Sequence, residues 1–222
     1  MSKIKKKYLI IISVLIPVII VSIFLGFNIF KKPKSIDDLI LDLDSNFIDL
    51  DTFELDAPFD LSKLSDYRLV STSSPEHMGI DFFSNTGVSS IPFLSMIDGI
   101  VTRVEPWVME NQGETDNWAY RIIIAINSKY VILLNFETFA HTEEIKQLQE
   151  NNIFVKEGDL IKKGKPIGNL IIGSQFAHVH YSLKLSNIEI PDSERWLVPE
   201  PYFSNTAVEL INNVFGYQAI DR

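Results

Sequence analysis

The sequence predicts a mostly β domain behind a single apolar helix, and three features carry this prediction. From about Lys63 onward, short apolar runs are separated by turn-forming residues. Residues 178–185 place an apolar side chain at every second position, which is the period of a half-buried strand. Residues 119–126 and 130–136 are two apolar runs separated by residues 127–129, a spacing typical of a tight β-hairpin.

The remaining elements follow from local patterns. Residues 100–104, which come after an Asp-Gly pair, predict another strand. Residues 142–152 predict a helix, because apolar side chains recur on one side of it. Short strands broken by glycine turns are expected within residues 153–172. A second helix is expected at residues 206–215, where it ends at a glycine.

Residues 8–30 are predicted to form a membrane anchor. These 23 residues carry no charge, and lysines flank them on both sides. As a helix they would span about 35 Å, enough to cross a bilayer core of about 30 Å. The stretch is longer than the apolar region of a cleavable signal peptide, and no small-residue cleavage site follows it. We therefore expect an uncleaved single-pass anchor, with a slight lysine bias toward a cytoplasmic N-terminus.

The anchor and the composition divide the chain into five predicted segments. Residues 35–62 contain nine acidic residues and no basic one, which predicts an acidic stalk or an edge strand. The segments are a basic tail at 1–7, the anchor at 8–30, an acidic stalk or lead-in at 31–65, a β domain at 66–190, and a C-terminal extension with a short helix at 191–222.

The charge distribution argues against nucleic acid as a partner. The net charge is −9, and residues 1–34 hold seven lysines and no acid. The remainder therefore has 13 basic and 29 acidic residues, a charge of −16. Contact with phosphates needs clustered lysine and arginine, so a segment this acidic is expected to bind nucleic acid poorly. There is no cysteine, so any metal must be bound by imidazole and carboxylate.

The four histidines of the chain, with one aspartate, form a candidate zinc site. His77 and Asp81 are four residues apart, which places both side chains on one face of an extended segment. His178 and His180 share the polar face of the predicted strand. A catalytic zinc needs three protein ligands and an open position, and His77, Asp81 and one histidine of the pair supply three. The other histidine of the pair and His141 are then available for proton transfer and oxyanion stabilisation.

These motifs resemble those of the lysostaphin-type (LytM-like) zinc peptidases. That family carries an H-x-x-x-D motif, then a histidine in a segment like Y-x-H-L, then an H-x-H motif. The matching positions here are 77–81, 139–142 and 178–180, and segments 96–101 and 155–168 also look like the family's "dG-V" strand and its glycine-containing hairpin. The resemblance covers about residues 66–186.

The resemblance implies a role for each site residue. It implies that His77, Asp81 and His180 bind Zn²⁺ and that His141 and His178 are catalytic. It implies a small antiparallel β-sheet domain, barrel- or sandwich-like, with a groove over the sheet. Family members cut peptide bonds in cell-wall peptidoglycan. The expected protein is a zinc metalloendopeptidase anchored in the cell membrane with its catalytic domain on the extracytoplasmic side.

Other interpretations explain part of the sequence. A non-catalytic relative would use the groove to bind cell-wall enzymes or another membrane protein. A structural zinc would need His141 or His178 as a fourth ligand. A biotinyl or lipoyl carrier domain would need a modified lysine in a turn flanked by methionine, which the chain lacks. The aromatic side chains of Trp107, Trp118 and Tyr181 serve either as substrate platforms or as ordinary packing.

Overall fold

A computed structural model describes residues 34–47, 49–58, 64–70, 78–84, 89–109, 117–139 and 142–215. By its contacts the chain separates into two units, residues 1–35 and 36–222, and only residues 34 and 35 of the first are described. No helix in the described ranges is long and apolar enough to cross a membrane. The predicted anchor at residues 8–30 lies outside these ranges.

The described chain is mostly antiparallel β-structure, as predicted. Its strands are β1 (Leu64–Val70), β2 (Gly79–Ser84), β3 (Ser90–Leu94), β4 (Gly99–Met109), β5 (Asn117–Ala125), β6 (Tyr130–Glu137), β7 (Leu160–Ile161), β8 (Pro166–Ile171), β9 (His178–Leu185) and β10 (Trp196–Leu197). One sheet has the order β1-β2-β9-β6-β5-β4-β7, and β10 also pairs with β9. Strands β3 and β8 form a second, two-stranded sheet.

The described residues also form helices. They are α1 (Ile36–Asp44), α2 (Glu143–Asn151), α3 (Asp192–Arg195) and α4 (Asn205–Phe215), with a short 3-10 helix at Glu200–Tyr202. The predicted helices at 142–152 and 206–215 are confirmed as α2 and α4. Thr142 caps α2, because its side chain accepts a hydrogen bond from the backbone N–H of Ile145.

The predicted hairpin is the pair β5–β6, and Asn127 closes its turn. The side-chain Oδ1 of Asn127 accepts hydrogen bonds from the backbone N–H groups of Lys129 and Tyr130, each at 2.9 Å. Its Nδ2 donates to the carbonyl of Leu50 at 3.0 Å. One asparagine therefore satisfies the turn backbone and also holds the lead-in segment against the domain.

Strand β9 has the predicted bounds, but it is buried on both faces. Val179, Tyr181 and Leu183 are fully buried on the core side. The opposite face was expected to be open, yet His178 and His180 are only 6% and 4% exposed. The reason is tertiary: β2, β6 and β10 all pair with β9, so side chains from neighbouring strands cover its polar face.

The lead-in differs from the predicted acidic stalk or edge strand. Residues 36–44 form α1, and the segment after it packs into the domain core. Leu55 is fully buried and forms a parallel bridge with Phe203. The ring of Phe53 stacks on that of Tyr202 at 4.9 Å between centroids. The acidic residues of this segment therefore alternate with apolar side chains that the domain uses as core.

Candidate active site

Three adjacent strands bring the described site residues together. In the register of β2 with β9, Asp81 lies directly opposite His180. In the register of β9 with β6, His180 lies opposite Asn135, and His178 lies opposite Glu137. Directly opposite residues of antiparallel strands project to the same face of the sheet. One polar row, Asp81–His180–Asn135, therefore crosses β2, β9 and β6, and His178 and Glu137 form a polar pair on β9 and β6 beside it.

Asp81 and His180 are in direct contact, and both are buried. Asp81 Oδ1 lies 2.6 Å from His180 Nδ1. On the other side of the ring, Nε2 lies 2.8 Å from Ser182 Oγ, which donates a hydrogen bond to the carbonyl of Met78 at 2.9 Å. Because the single hydroxyl proton of Ser182 is directed at that carbonyl, Ser182 accepts the Nε2 proton. With Nε2 protonated, the lone pair of Nδ1 points at the Asp81 carboxylate, and at 2.6 Å the two atoms must share a proton or a cation.

This donor arrangement fits a metal cation. A histidine that binds a metal must present an unprotonated nitrogen, and its other ring N–H is normally held by a hydrogen-bond acceptor. His180 meets both conditions through Asp81 and Ser182. A cation competes with a proton for the lone pairs that converge between Nδ1 and Oδ1. Within the described residues no group of three or more histidines and acids is placed to hold a metal.

His77 and His141 lie outside the described residues, so their predicted roles remain predictions. The chain resumes at Met78, whose carbonyl accepts the Ser182 hydrogen bond next to His180. Directly before the second gap, at residues 140–141, Phe139 has a φ of +50°. The left-handed region is disfavoured for a bulky side chain, and such strained residues concentrate at functional sites.

His178 is oriented so that one ring nitrogen can accept a proton. Its Nδ1 lies 2.8 Å from the carbonyl oxygen of Phe176, and since a carbonyl only accepts, Nδ1 carries the proton. Its Nε2 faces Glu137 Oε2 at 3.3 Å and Asp81 Oδ1 at 3.5 Å. In the neutral ring, Nε2 is therefore the unprotonated nitrogen. The geometry thus suits a histidine that takes up a proton at Nε2 and later returns it.

Glu137 is a further site residue, one that the sequence motifs do not include. It is 3% exposed, and burial, with the nearby Asp81 charge as a second cause, raises its pKa to about 8, against the lowering effect of Arg121. At neutral pH its carboxyl group therefore holds a proton that it can donate to His178 Nε2. The available signal was the polar pair Asn135 and Glu137, two residues apart in an otherwise apolar strand.

We expect Glu137→Gln to stabilise the metal-free protein at alkaline pH. The folded-state pKa of about 8 lies above the ordinary value of 4.5. Below pH 4.5 the carboxyl group is protonated in both the folded and the unfolded state, so it does not change the free energy of unfolding. As pH rises from 4.5 toward 8, only the unfolded state ionises readily, and the free energy of unfolding of wild type falls. Glutamine never ionises, and the variant should gain about 5 kcal/mol relative to wild type between pH 4 and pH 9, since folding raises the pKa of Glu137 from 4.5 to about 8.

Urea unfolding of both proteins with a chelator present, at the two pH values, measures this difference. Glutamine fills the same volume as glutamic acid, so the packing contribution to the stability difference is the same at both pH values. The change in that difference with pH therefore reports the ionisation of Glu137. A stability difference that is the same at pH 4 and pH 9 would contradict the buried, proton-holding Glu137.

A pocket of about 230 Å³ adjoins His180 on the same face of the sheet. Trp107, Arg121, Glu137, Lys184 and Trp196 are among its lining residues. Of the aromatic candidates, Trp107 thus borders the pocket, whereas Tyr181 is fully buried on the core side and Trp118 packs edge-on against Tyr120. The last two serve as packing.

Several solved peptidase structures are similar to this chain. Lysostaphin from Staphylococcus simulans matches with a TM-score of 0.43 and 19% identity, over 68% of this chain and 53% of that one. A zinc-containing peptidase from Vibrio cholerae matches with a TM-score of 0.35 and 20% identity, over 64% and 39% of the two chains. The catalytic domain of the prophage-encoded M23 protein EnpA from Enterococcus faecalis, solved as a point mutant, matches with a TM-score of 0.35 and 18% identity, over 69% and 94%.

All three matches have TM-scores below 0.5 and identities of 20% or less. The chain spans about half the length of the full lysostaphin structure. A likeness at these TM-scores assigns neither a fold nor an activity to this chain. No protein-family profile matches the sequence. No curated protein matches it either.

Proposed function

We propose that this chain is a zinc-dependent endopeptidase that hydrolyses peptide bonds in cell-wall peptidoglycan. The observation that supports this most directly is the cross-strand pair of Asp81 and His180, with His178 Nε2 3.5 Å from the same carboxylate oxygen. The buried pair has the donor chemistry of a metal site, and the neighbouring histidine has the geometry of a proton acceptor.

The residues that would hold zinc are His77, Asp81 and His180. Zinc in such a site supplies Lewis acidity, which makes water a competent nucleophile at neutral pH. Ser182 fixes the ring of His180, since its hydroxyl accepts the Nε2 proton and donates to the Met78 carbonyl. Asp81 is buried and keeps His180 Nδ1 directed toward its own carboxylate.

His178 would act in proton transfer, together with His141 as the family resemblance implies. The Phe176 carbonyl holds the Nδ1 proton of His178, so the exchangeable position is Nε2. The rings of Phe83 and Phe139 lie 4.7 and 5.2 Å from the imidazole, between centroids, and limit its rotation. Glu137 Oε2 lies 3.3 Å from Nε2, within reach of a proton exchanged there. A peptide substrate would lie along the pocket beside these groups.

We also propose that residues 8–30 anchor the chain in the cell membrane with the site on the extracytoplasmic side. The support is the 23-residue uncharged stretch with lysines on both flanks, together with a substrate that lies outside the membrane. The −16 charge of the remaining chain opposes free diffusion through an anionic cell wall, which favours action close to the membrane surface.

The test is the zinc content of the purified full-length chain and its turnover on purified peptidoglycan. We expect about one zinc per chain, and release of soluble peptide fragments that stops with a chelator and resumes when zinc is restored. A folded chain with neither zinc nor turnover would overturn the proposal and favour the non-catalytic scaffold. Tightly held zinc without turnover would favour a structural metal.

A further inference from the structure

The pocket beside His180 continues the site across the sheet. It runs over the face formed by β9, β6, β5 and β4, the same face that carries Asp81 and His180. The register places Arg121 opposite Asn135, which in turn lies opposite His180. Neighbouring strands are about 4.8 Å apart, so the backbone of Arg121 lies roughly 10 Å from that of His180.

Arg121 is held in one orientation within this pocket. Its Nε donates a hydrogen bond to Asn135 Oδ1 at 3.0 Å. Its guanidinium carbon lies 3.8 Å from the centroid of the Trp107 ring, a stacked cation–π contact. Among the described residues, Arg121 makes this one side-chain hydrogen bond and this one cation–π contact. Only one of the five N–H donors of its guanidinium group is therefore used in a hydrogen bond. The terminal N–H groups are thus pre-oriented at little further entropic cost.

The acids around Arg121 are directed at other partners. Glu105, which lies opposite Arg121 on β4, contacts Arg103 at 3.5 Å. Glu137 contacts His178 Nε2 at 3.3 Å. The second cation of the pocket, Lys184, pairs with Asp192 at 2.5 Å and lies 4.2 Å from the Trp196 ring centroid. Within the described chain, Arg121 therefore brings positive charge into the pocket that its neighbours do not neutralise by an ion pair.

We propose that Arg121 anchors a carboxylate of the bound peptide and so makes the pocket selective for peptides that carry one near the cleaved bond. This rests on the proposed function. A planar guanidinium binds a carboxylate through two parallel hydrogen bonds, which is the geometry that its terminal N–H groups provide. An extended peptide rises about 3.3 Å per residue, so the carboxylate belongs two or three residues from the bond beside His180.

Peptide binding to the full-length chain tests this proposal without turnover. With a chelator present, calorimetry would compare acetyl-Gly-Gly-Gly-Glu-amide with its Gln counterpart, and acetyl-tetraglycine with its C-terminal amide. The first pair tests a side-chain carboxylate and the second a terminal one. We expect a carboxylate peptide of at least one pair to bind about 10- to 100-fold more tightly than its neutral partner, as charge-assisted hydrogen bonds typically give.

The variants decide whether Arg121 is the cause. Arg121→Met should remove the preference for the carboxylate, and Arg121→Lys should retain part of it because the charge stays and the fork is lost. Lys156→Met, which removes an exposed cation that does not line the pocket, is the control and should keep the preference. Equal affinities within both pairs in wild type, or a preference that survives in Arg121→Met, would overturn the proposal. These outcomes are independent of zinc content and turnover, which test the proposed function.

Discussion

Replacing His180 with alanine should remove both zinc and turnover from the purified full-length chain. The variant loses the imidazole that pairs with Asp81 at 2.6 Å and leaves one proposed ligand without its neighbour. We expect the zinc content to fall from about one per chain to near zero and the hydrolysis of peptidoglycan to fall at least about 10³-fold. Metal analysis and the release of soluble peptide fragments measure the two effects.

His178→Ala is the matched control, since it removes the same ring two residues away on the same face of β9. We expect this variant to keep its zinc while turnover falls about 10²- to 10⁴-fold, the usual contribution of a general acid–base group. Both histidines are buried, so thermal unfolding must first show that each variant is folded. Zinc lost from His178→Ala and kept in His180→Ala would reverse the assigned roles.

Gly79→Ala should disrupt the site through the backbone. A Cβ atom at Gly79 would lie 2.4 Å from the Tyr181 carbonyl oxygen, 2.8 Å from Ser182 Oγ and 3.0 Å from His180 Cε1. The nearest of these atoms belongs to the backbone of β9, so β2 must move away from β9 to make room. We expect a loss of about 2–4 kcal/mol in the free energy of unfolding. Because the same movement separates Asp81 from His180, the zinc content should fall as well.

The control for Gly79→Ala is Gly164→Ala. Gly164 has a φ of +78° and no atom within 4 Å of an added Cβ, so this variant experiences backbone strain without a clash. A cost of about 1 kcal/mol is expected, with zinc and turnover unchanged. Urea unfolding and metal analysis of the two variants compare the effects. A Gly79→Ala protein as stable and as zinc-loaded as Gly164→Ala would show that β2 and β9 need not approach this closely.

Local patterns in the sequence determined several of the elements. The two-residue period predicts β9 with its observed bounds, and the spacing of two apolar runs predicts the β5–β6 hairpin. Helices α2 and α4 follow from apolar periodicity and capping residues. The motifs also select Asp81, His178 and His180, which the structure brings together. These features depend on side chains a few residues apart, so a single chain segment contains the information.

The tertiary structure alone decided which distant residues meet. Asp81 and His180 are 99 positions apart, and their contact depends on the register of β2 with β9. The same pairing places Glu137 beside His178 and buries the polar face of β9, which its alternating sequence predicted to be open. Leu55 enters the core from a segment whose acidity predicted a stalk. Strand register and core packing depend on contacts between residues that are far apart in the sequence, and no local pattern specifies them.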